Sequence, residues 1–376
     1  LPAGHSANAA YWYDAGKWIS STHYMNNLPN WVAQFNEKDL AAEYMKNDWT
    51  TLLPAEKYDQ STEDDKPYES TIRGEKTTTF PHKLSAIEAK DKYESFRTTP
   101  FANSFTLEFA KAAIENENLG KNSVTDFLAV SISSTDYIGH TFGPNSIEAE
   151  DTYLRLDRDI AGFLSYLDAK VGKGNYLLFL SADHGVSHIP AFNAEHNMPG
   201  GTFDDSDIAK ELNRAVEEKL NIKSAVKTVM NYQVYLDKKS IAAQGKKNEE
   251  VINFIISTLK EKDFIVNAIE LDEVMESALP QPQKEMMVNG YNPKRSGDIQ
   301  FTSKPGYFDG SKRGTTHGLW NPYDAHIPCL FFGWGVKAGK TNRNTSMADI
   351  APTVAALLKI QMPNGCVGKV IEELIK

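Results

Sequence analysis

The chain has 376 residues, 41% hydrophobic and 24% charged, which fits one large domain carrying insertions or two smaller domains. A formal net charge of −10 argues against general binding of nucleic acid or anionic membranes. It leaves a phosphate-bearing substrate open, because bound cations would dominate the local field.

Leu1-Pro2-Ala3-Gly4-His5 has neither an initiator methionine nor a basic stretch leading into an apolar one. A mature secreted protein and the C-terminal part of a longer one both fit such a start. Residues 1–120 are rich in aromatics and turns and are expected to form a cap-like lobe leading into the core. Ala10–Asp14 predicts a short strand, Asp14-Ala15-Gly16-Lys17 a turn, and Leu28–Val32 the start of a helix. Trp12, Trp18, Trp31 and Trp49 are expected to pack this lobe. The polar stretch 58–79 has no periodicity and reads as a loop. Asn103 is a candidate cap for a helix bearing Leu107, Ala110 and Ile114 on one face.

Residues 121–190 read as an α/β core. Phe127–Ile132 is apolar enough to predict a strand buried on both faces. A helix follows, with Asn145 as expected cap, Glu148 three residues on, and Leu156, Ile160, Phe163, Leu164 and Leu167 at helical spacing. Gly172 and Gly174 end it before a strand at Tyr176–Leu180. Strand, helix and strand predict a βαβ unit that sets Asp136 and Asp183 on one sheet edge, where ligands bind in open α/β sheets. Residues 191–310 are expected to form an inserted β-α-β lobe, with helices near 208–220 and 251–259 and strands at Tyr232–Leu236 and Phe264–Val266. The Pro/Gly-rich stretch 280–310 then returns the chain to the core over 311–376, with a strand at Ile327–Phe332 and a helix at Ile350–Leu358. No apolar run is long enough to span a bilayer. Cys329 and Cys366 define no disulfide framework; Cys329 is expected to be a buried free thiol.

Three clusters carry chemistry. Asp136-x-x-x-His140 sets a carboxylate and an imidazole one helical turn apart, or around one wide loop. Asp183-His184-Gly185 sends both ligand types off a strand end, with a glycine to permit a sharp turn. His317 lies between glycines in Gly314-Thr315-Thr316-His317-Gly318. Singly, each has a plain explanation as a cap or a loop histidine. Gathered together, they would be costly to bury without cations. Two divalent ions could activate a nucleophile and hold substrate oxygens, and histidine-rich ligation suits zinc better than magnesium. The pattern predicts metal-dependent hydrolysis or transfer.

Ser134–His140, Ser181–Gly185, and Gly314–Gly318 through Asp324-Ala325-His326-Ile327-Pro328 resemble the three later motifs of the alkaline phosphatase superfamily. The match is best to its bacterial, threonine-nucleophile members, called PafA-like. Similarity extends to Asp349–Thr353, to Gly365–Gly368 and back to Leu1–His5, so it covers essentially the whole chain. The resemblance implies an α/β/α sandwich with a mostly parallel central sheet and inserted lobes. It implies two Zn2+, one held by Asp136, His140 and His317, the other by Asp183 and His184. The activity implied is hydrolysis of small phosphate monoesters through a covalent phosphoryl-threonine, in the periplasm or outside the cell. In that family the second zinc also takes another aspartate and the nucleophilic threonine, and a Lys/Arg pair holds the phosphoryl oxygens. None of these motifs is in this chain, which resembles the C-terminal two-thirds; a missing N-terminal segment is its expected partner.

Thr135, Ser181, Thr315 and Thr316 are expected to supply hydrogen bonds near the ligands rather than the nucleophile. His188 and His196 are expected in exposed loops, and His326 is expected to orient a ligand. Asn193, Lys312 and Arg313 either reach a phosphate or simply face solvent. Two other readings fit the same residues: a phosphodiesterase or nucleotide pyrophosphatase of the superfamily, and an inactive metal-binding fragment.

Overall fold

The structure, a computed structural model, describes residues 4 and 6–375, so most of the Leu1–His5 motif lies outside the described residues. Strands β1 (Trp12–Asp14) and β2 (Lys17–Ile19) pair antiparallel across Ala15-Gly16, both at positive φ as a tight hairpin requires. Helices α1 (Asn30–Glu37) and α2 (Phe101–Asn116) pack against them. The result is an aromatic core holding Trp18, Phe35, Trp49, Phe96, Phe105 and Phe109, with Trp31 against its edge. Trp18 stacks on Phe109 at 4.1 Å between centroids. Residues 58–79 contain no helix or strand, as their polarity predicts. Asn103 is not a cap. It is buried inside α2, which starts instead after Pro100, whose ring presets a φ of −64°.

Phe127–Ile132 is not a strand, and Phe127 is 65% exposed. An apolar strand needs a neighbour for its backbone, and among the described residues none pairs with this stretch. The βαβ unit therefore does not form here, and Asp136 sits on helix α3 (Ser134–Phe142) rather than at a strand end. The long helix α4 (Ile147–Leu167) is capped by Ser146, whose Oγ accepts the Ala149 N–H at 3.1 Å, one residue beyond the expected Asn145. Strand β3 (Leu177–Ser181) follows.

The chain then leaves through β4 (Gly201–Phe203) and α5 (Asp205–Leu220), whose cap Asp204 accepts the Ser206 and Asp207 N–H groups. Strands β5 (Val226–Met230), β6 (Gln233–Leu236), β7 (Ile265–Glu270) and β8 (Ile299–Ser303) make an antiparallel sheet of order β5-β6-β8-β7. Helix α6 (Asn248–Lys260) buries Val251, Ile252, Ile255 and Leu259 on it. Every residue of β8 is buried, yet it lies in the stretch expected to be a returning loop. Gln300 and Thr302 dilute its apolar signal; Gln300 is satisfied internally through the Tyr232 carbonyl at 2.9 Å. Strand β9 (Tyr307–Asp309) pairs parallel with β4, so the excursion ends beside its start.

Strand β10 (Cys329–Gly333) pairs antiparallel with β3. Cys329 is exposed, contrary to expectation, because β10 has one strand neighbour and open faces; Leu330 is 58% exposed. Helix α7 (Ile350–Leu358) spans the predicted residues. The fold is α/β, as the sequence indicates, combining helices with parallel and antiparallel strand pairs.

Candidate metal centre

Asp136 occupies the first turn of α3 and His140 the last, so the two share one helix face. Asp136 Oδ1 lies 3.4 Å from His140 Nε2 and 3.5 Å from His317 Nε2. The His317 ring stacks on that of His184 with centroids 3.3 Å apart. His184 Nε2 lies 3.6 Å from Asp183 Oδ1. All five sequence candidates thus form one unbroken run of contacts. The tightest group is Asp136, His184 and His317, whose donor atoms all lie within 4.8 Å of one another. It combines residues from both expected ligand sets. Asp183 sits at the rim, its side chain 86% exposed.

The imidazoles are oriented from behind. His140 Nδ1 faces the Thr315 carbonyl at 2.7 Å and His184 Nδ1 faces the Gly185 carbonyl at 2.8 Å. A carbonyl only accepts, so each Nδ1 carries a proton and each ring turns its Nε2 toward a carboxylate. Nε2 and carboxylate oxygens converge at 3.4–3.6 Å, and Asp136 raises the pKa of His140, so a bound cation would take the place of the ring proton there. Burial raises the Asp136 carboxyl, but His140, His317 and His184 outweigh it and the net shift is downward. Burial, and then His184, lower the pKa of His317 and favour its neutral, ligating form.

Backbone contacts lock the three ligand-bearing segments together. The Thr315 N–H donates to the His140 carbonyl at 3.0 Å, and the Gly314 N–H to the Tyr68 carbonyl at 3.0 Å. Gly314 has φ +72°, and a Cβ there would lie 2.3 Å from the His140 oxygen. The Gly185 N–H donates to the Asp324 carbonyl at 2.7 Å, and a Cβ on Gly185 would lie 2.1 Å from the Tyr323 oxygen. Gly185 is thus required for close approach rather than for the sharp turn expected of it.

Asp324 also accepts the Leu319 N–H at 2.9 Å, and burial raises its carboxyl to about 6. It does the orienting expected of His326, which is exposed. Sequence reasoning missed both Asp324 and the strap around Tyr68, since each acts through backbone groups.

Three of the four neighbouring hydroxyls, those of Thr135, Ser181 and Thr315, are engaged. Thr315 Oγ1 donates to the Ser187 carbonyl at 2.8 Å, Thr135 Oγ1 to Ile132 at 3.2 Å, and Ser181 Oγ to Pro328 at 2.9 Å. Thr316 contributes its carbonyl to the Ser187 N–H. His188 Nδ1 pairs with Asn145 Oδ1 at 2.7 Å, and His196 Nδ1 with the Phe192 carbonyl at 2.9 Å. Asn193 is buried and donates to the Pro199 carbonyl, while Lys312 and Arg313 are exposed.

A family profile described as type I phosphodiesterase / nucleotide pyrophosphatase matches residues 2–326. A Myroides odoratus protein named calcium-transporting ATPase is 54% identical over 382 residues, covering all of this chain and 70% of that protein. Alkaline phosphatase PafA of Elizabethkingia meningoseptica is 50% identical over 378 residues, covering all of this chain and 69% of the relative. The 1.7 Å crystal structure of wild-type alkaline phosphatase PafA superposes with a TM-score of 0.95 at 50% identity, over all of this chain and 72% of that one.

Proposed function

The chain belongs to the type I phosphodiesterase / nucleotide pyrophosphatase family, where its alkaline phosphatase relatives make it a phosphate monoester hydrolase, and from that premise we propose that Asp136, His140, Asp183, His184 and His317 hold a pair of zinc ions at which the ester is cleaved. The observation that carries this reading is the convergence of Asp136, His184 and His317, whose ligand atoms lie within 4.8 Å of one another, with His140 3.4 Å from Asp136 and Asp183 3.6 Å from His184. Bound zinc supplies Lewis acidity, lowering the pKa of an attacking oxygen and taking up charge on the leaving one.

The remaining work belongs to this chain's own residues. Asp136, His140 and His317 hold one ion, and Asp183 and His184 the other. The carbonyls of Thr315 and Gly185 fix the two ring orientations. Thr135, Ser181 and Thr315 already donate to backbone carbonyls, which supports a nucleophile from elsewhere. In this reading the nucleophilic threonine, one further aspartate and a Lys/Arg pair belong to another segment of the protein, in keeping with the 70% and 69% shares of the relatives that the chain spans. Threonine attack forms a phosphoryl-threonine as the ester P–O bond breaks, and water then releases phosphate.

The same reading takes residues 1–120 as a cap-like lobe, 121–190 with 311–376 as core, and 191–310 as an inserted lobe. Two separate buried clusters, one mainly within 1–120 with Ile138 and Phe142 joining from the core, the other mainly within 191–310 with Leu319 joining from the core, support the division into lobes. A periplasmic or secreted location belongs to this proposal too; among the described residues no helix is long and apolar enough to cross a membrane.

The test is zinc content and p-nitrophenyl phosphate turnover, measured on this chain and on the full-length protein. Zinc-dependent turnover is expected only at full length, with a loss of about a hundredfold or more on Asp136→Ala. A full-length protein free of zinc would refute the proposal, as would rapid turnover by this chain with phosphate on an internal threonine. The family profile also favours a diesterase reading, which faster turnover of bis(p-nitrophenyl) phosphate than of the monoester would support.

A further inference from the structure

His82 is fully buried, and the rings of Trp49, Phe80 and Phe142 surround it at centroid distances of 4.9, 4.8 and 5.2 Å. Its Nδ1 lies 2.9 Å from Glu75 Oε2 and its Nε2 3.2 Å from Glu148 Oε1, and both carboxyl groups are buried. An imidazole facing a carboxylate with each nitrogen carries two protons and one positive charge. Burial pulls its pKa down, but Glu148 and Glu75 prevail and hold it up at about 9. Burial also raises Glu148, while His82 opposes that shift. The other groups facing this array are all acidic: Asp64, which His82 and Asp65 act upon, and Glu69, which Glu148, Asp64 and Asp65 act upon. His82 is the single cation among the groups named.

This array lies directly behind the ligand-bearing segments. Glu148 is in the first turn of α4, and Phe142 ends α3 two residues after His140. Glu69 is 2% exposed, and burial followed by Glu148 raises its carboxyl to about 8. Its chain neighbours grip the site from both sides. The Ser70 N–H donates to the Thr141 carbonyl at 2.8 Å, and the Tyr68 carbonyl accepts the Gly314 N–H at 3.0 Å.

We propose that His82, as an imidazolium shared by Glu75 and Glu148, is a positioning residue for the metal centre, holding α4 and the Tyr68–Ser70 strap that fixes the segments bearing His140 and His317. This rests on the reading of those histidines as metal ligands. Removing the imidazolium proton leaves Glu75 and Glu148 as buried acids without a counter-charge, and loosens the Glu75 end of the segment that carries the Tyr68–Ser70 strap from α4. The folded pKa lies above the free value of about 6.5, so the restraint is complete below it and is lost as pH rises through about 9.

Histidine 15N NMR of the metal-free chain tests the charge, and zinc titration against a competing chelator tests the role. At about pH 7.5 one imidazolium with two slowly exchanging ring N–H protons is expected, absent in His82→Gln and lost in the wild type above about pH 9. At about pH 7.5 the folded His82→Gln variant is expected to bind zinc roughly 10-fold more weakly, the gap closing to within about twofold near pH 10. If His82→Gln does not fold, Glu148→Gln, which leaves the ring its Glu75 partner, is expected to weaken zinc about as much. A wild type that takes up no zinc overturns the metal reading and this proposal with it. Unchanged zinc affinity in a folded variant, or a neutral His82 near pH 7.5, overturns the positioning role alone.

Discussion

Two glycines beside proposed ligands behave oppositely because of what surrounds them. Gly139 precedes His140 inside α3, and an added Cβ there meets nothing within 4 Å outside the helix itself. Gly139→Ala is expected to stabilise the fold by about 0.5–1 kcal/mol through lower backbone entropy in the unfolded chain, with zinc affinity unchanged. Gly185 follows His184 and abuts the Tyr323 carbonyl, a backbone group that cannot swing away. Gly185→Ala is expected to lose about 1–3 kcal/mol and to weaken zinc about 10-fold or more, by denaturant melting and chelator competition. Equal behaviour of the two variants would remove close packing as the reason for a glycine at Gly185.

The excursion between β4 and β9 reaches back toward the site through Leu319, which is part of the buried core containing Val234, Ile255 and Phe301. Leu319 lies two residues after His317, and Asp324 also holds its N–H. Leu319→Ala and Ile255→Ala are each expected to cost about 2–5 kcal/mol, but only the former should weaken zinc more than about threefold. Matching zinc affinities would show that the lobe and the ligand loop are uncoupled. These elements also show what a sequence can reveal. The faces of α4 and α6, and the whole of α7, are legible because their apolar spacing is helical and their packing local. Strand β8 is hidden because Gln300 and Thr302 find partners distant in sequence, the carbonyls of Tyr232 and Asn267. Phe127–Ile132 misleads in the opposite sense, since apolar density signals burial but not which strand will provide it. The five ligand candidates are legible as side-chain chemistry, whereas the Tyr68–Ser70 strap works through peptide groups that every residue has.

For the molecule as a whole, the proposed ligands come from widely separated stretches: Asp136 with His140, Asp183 with His184, then His317 beyond the excursion. An ion held by Asp136, His140 and His317 favours the native state alone, so zinc at about 100 times that site's dissociation constant should add about 2.7 kcal/mol of stability. Thermal melts at graded free zinc, with a zinc-free His317→Ala control, check this; equal melting points at every concentration would contradict it. The geometry of β4 beside β9 carries a corollary for assembly. The segment bearing His317 follows the excursion that β4 and β9 close, so on the proposed reading the full ligand set exists only once that excursion is in place. If the proposed ligands bind metal, firm retention is expected to mark molecules that have finished folding.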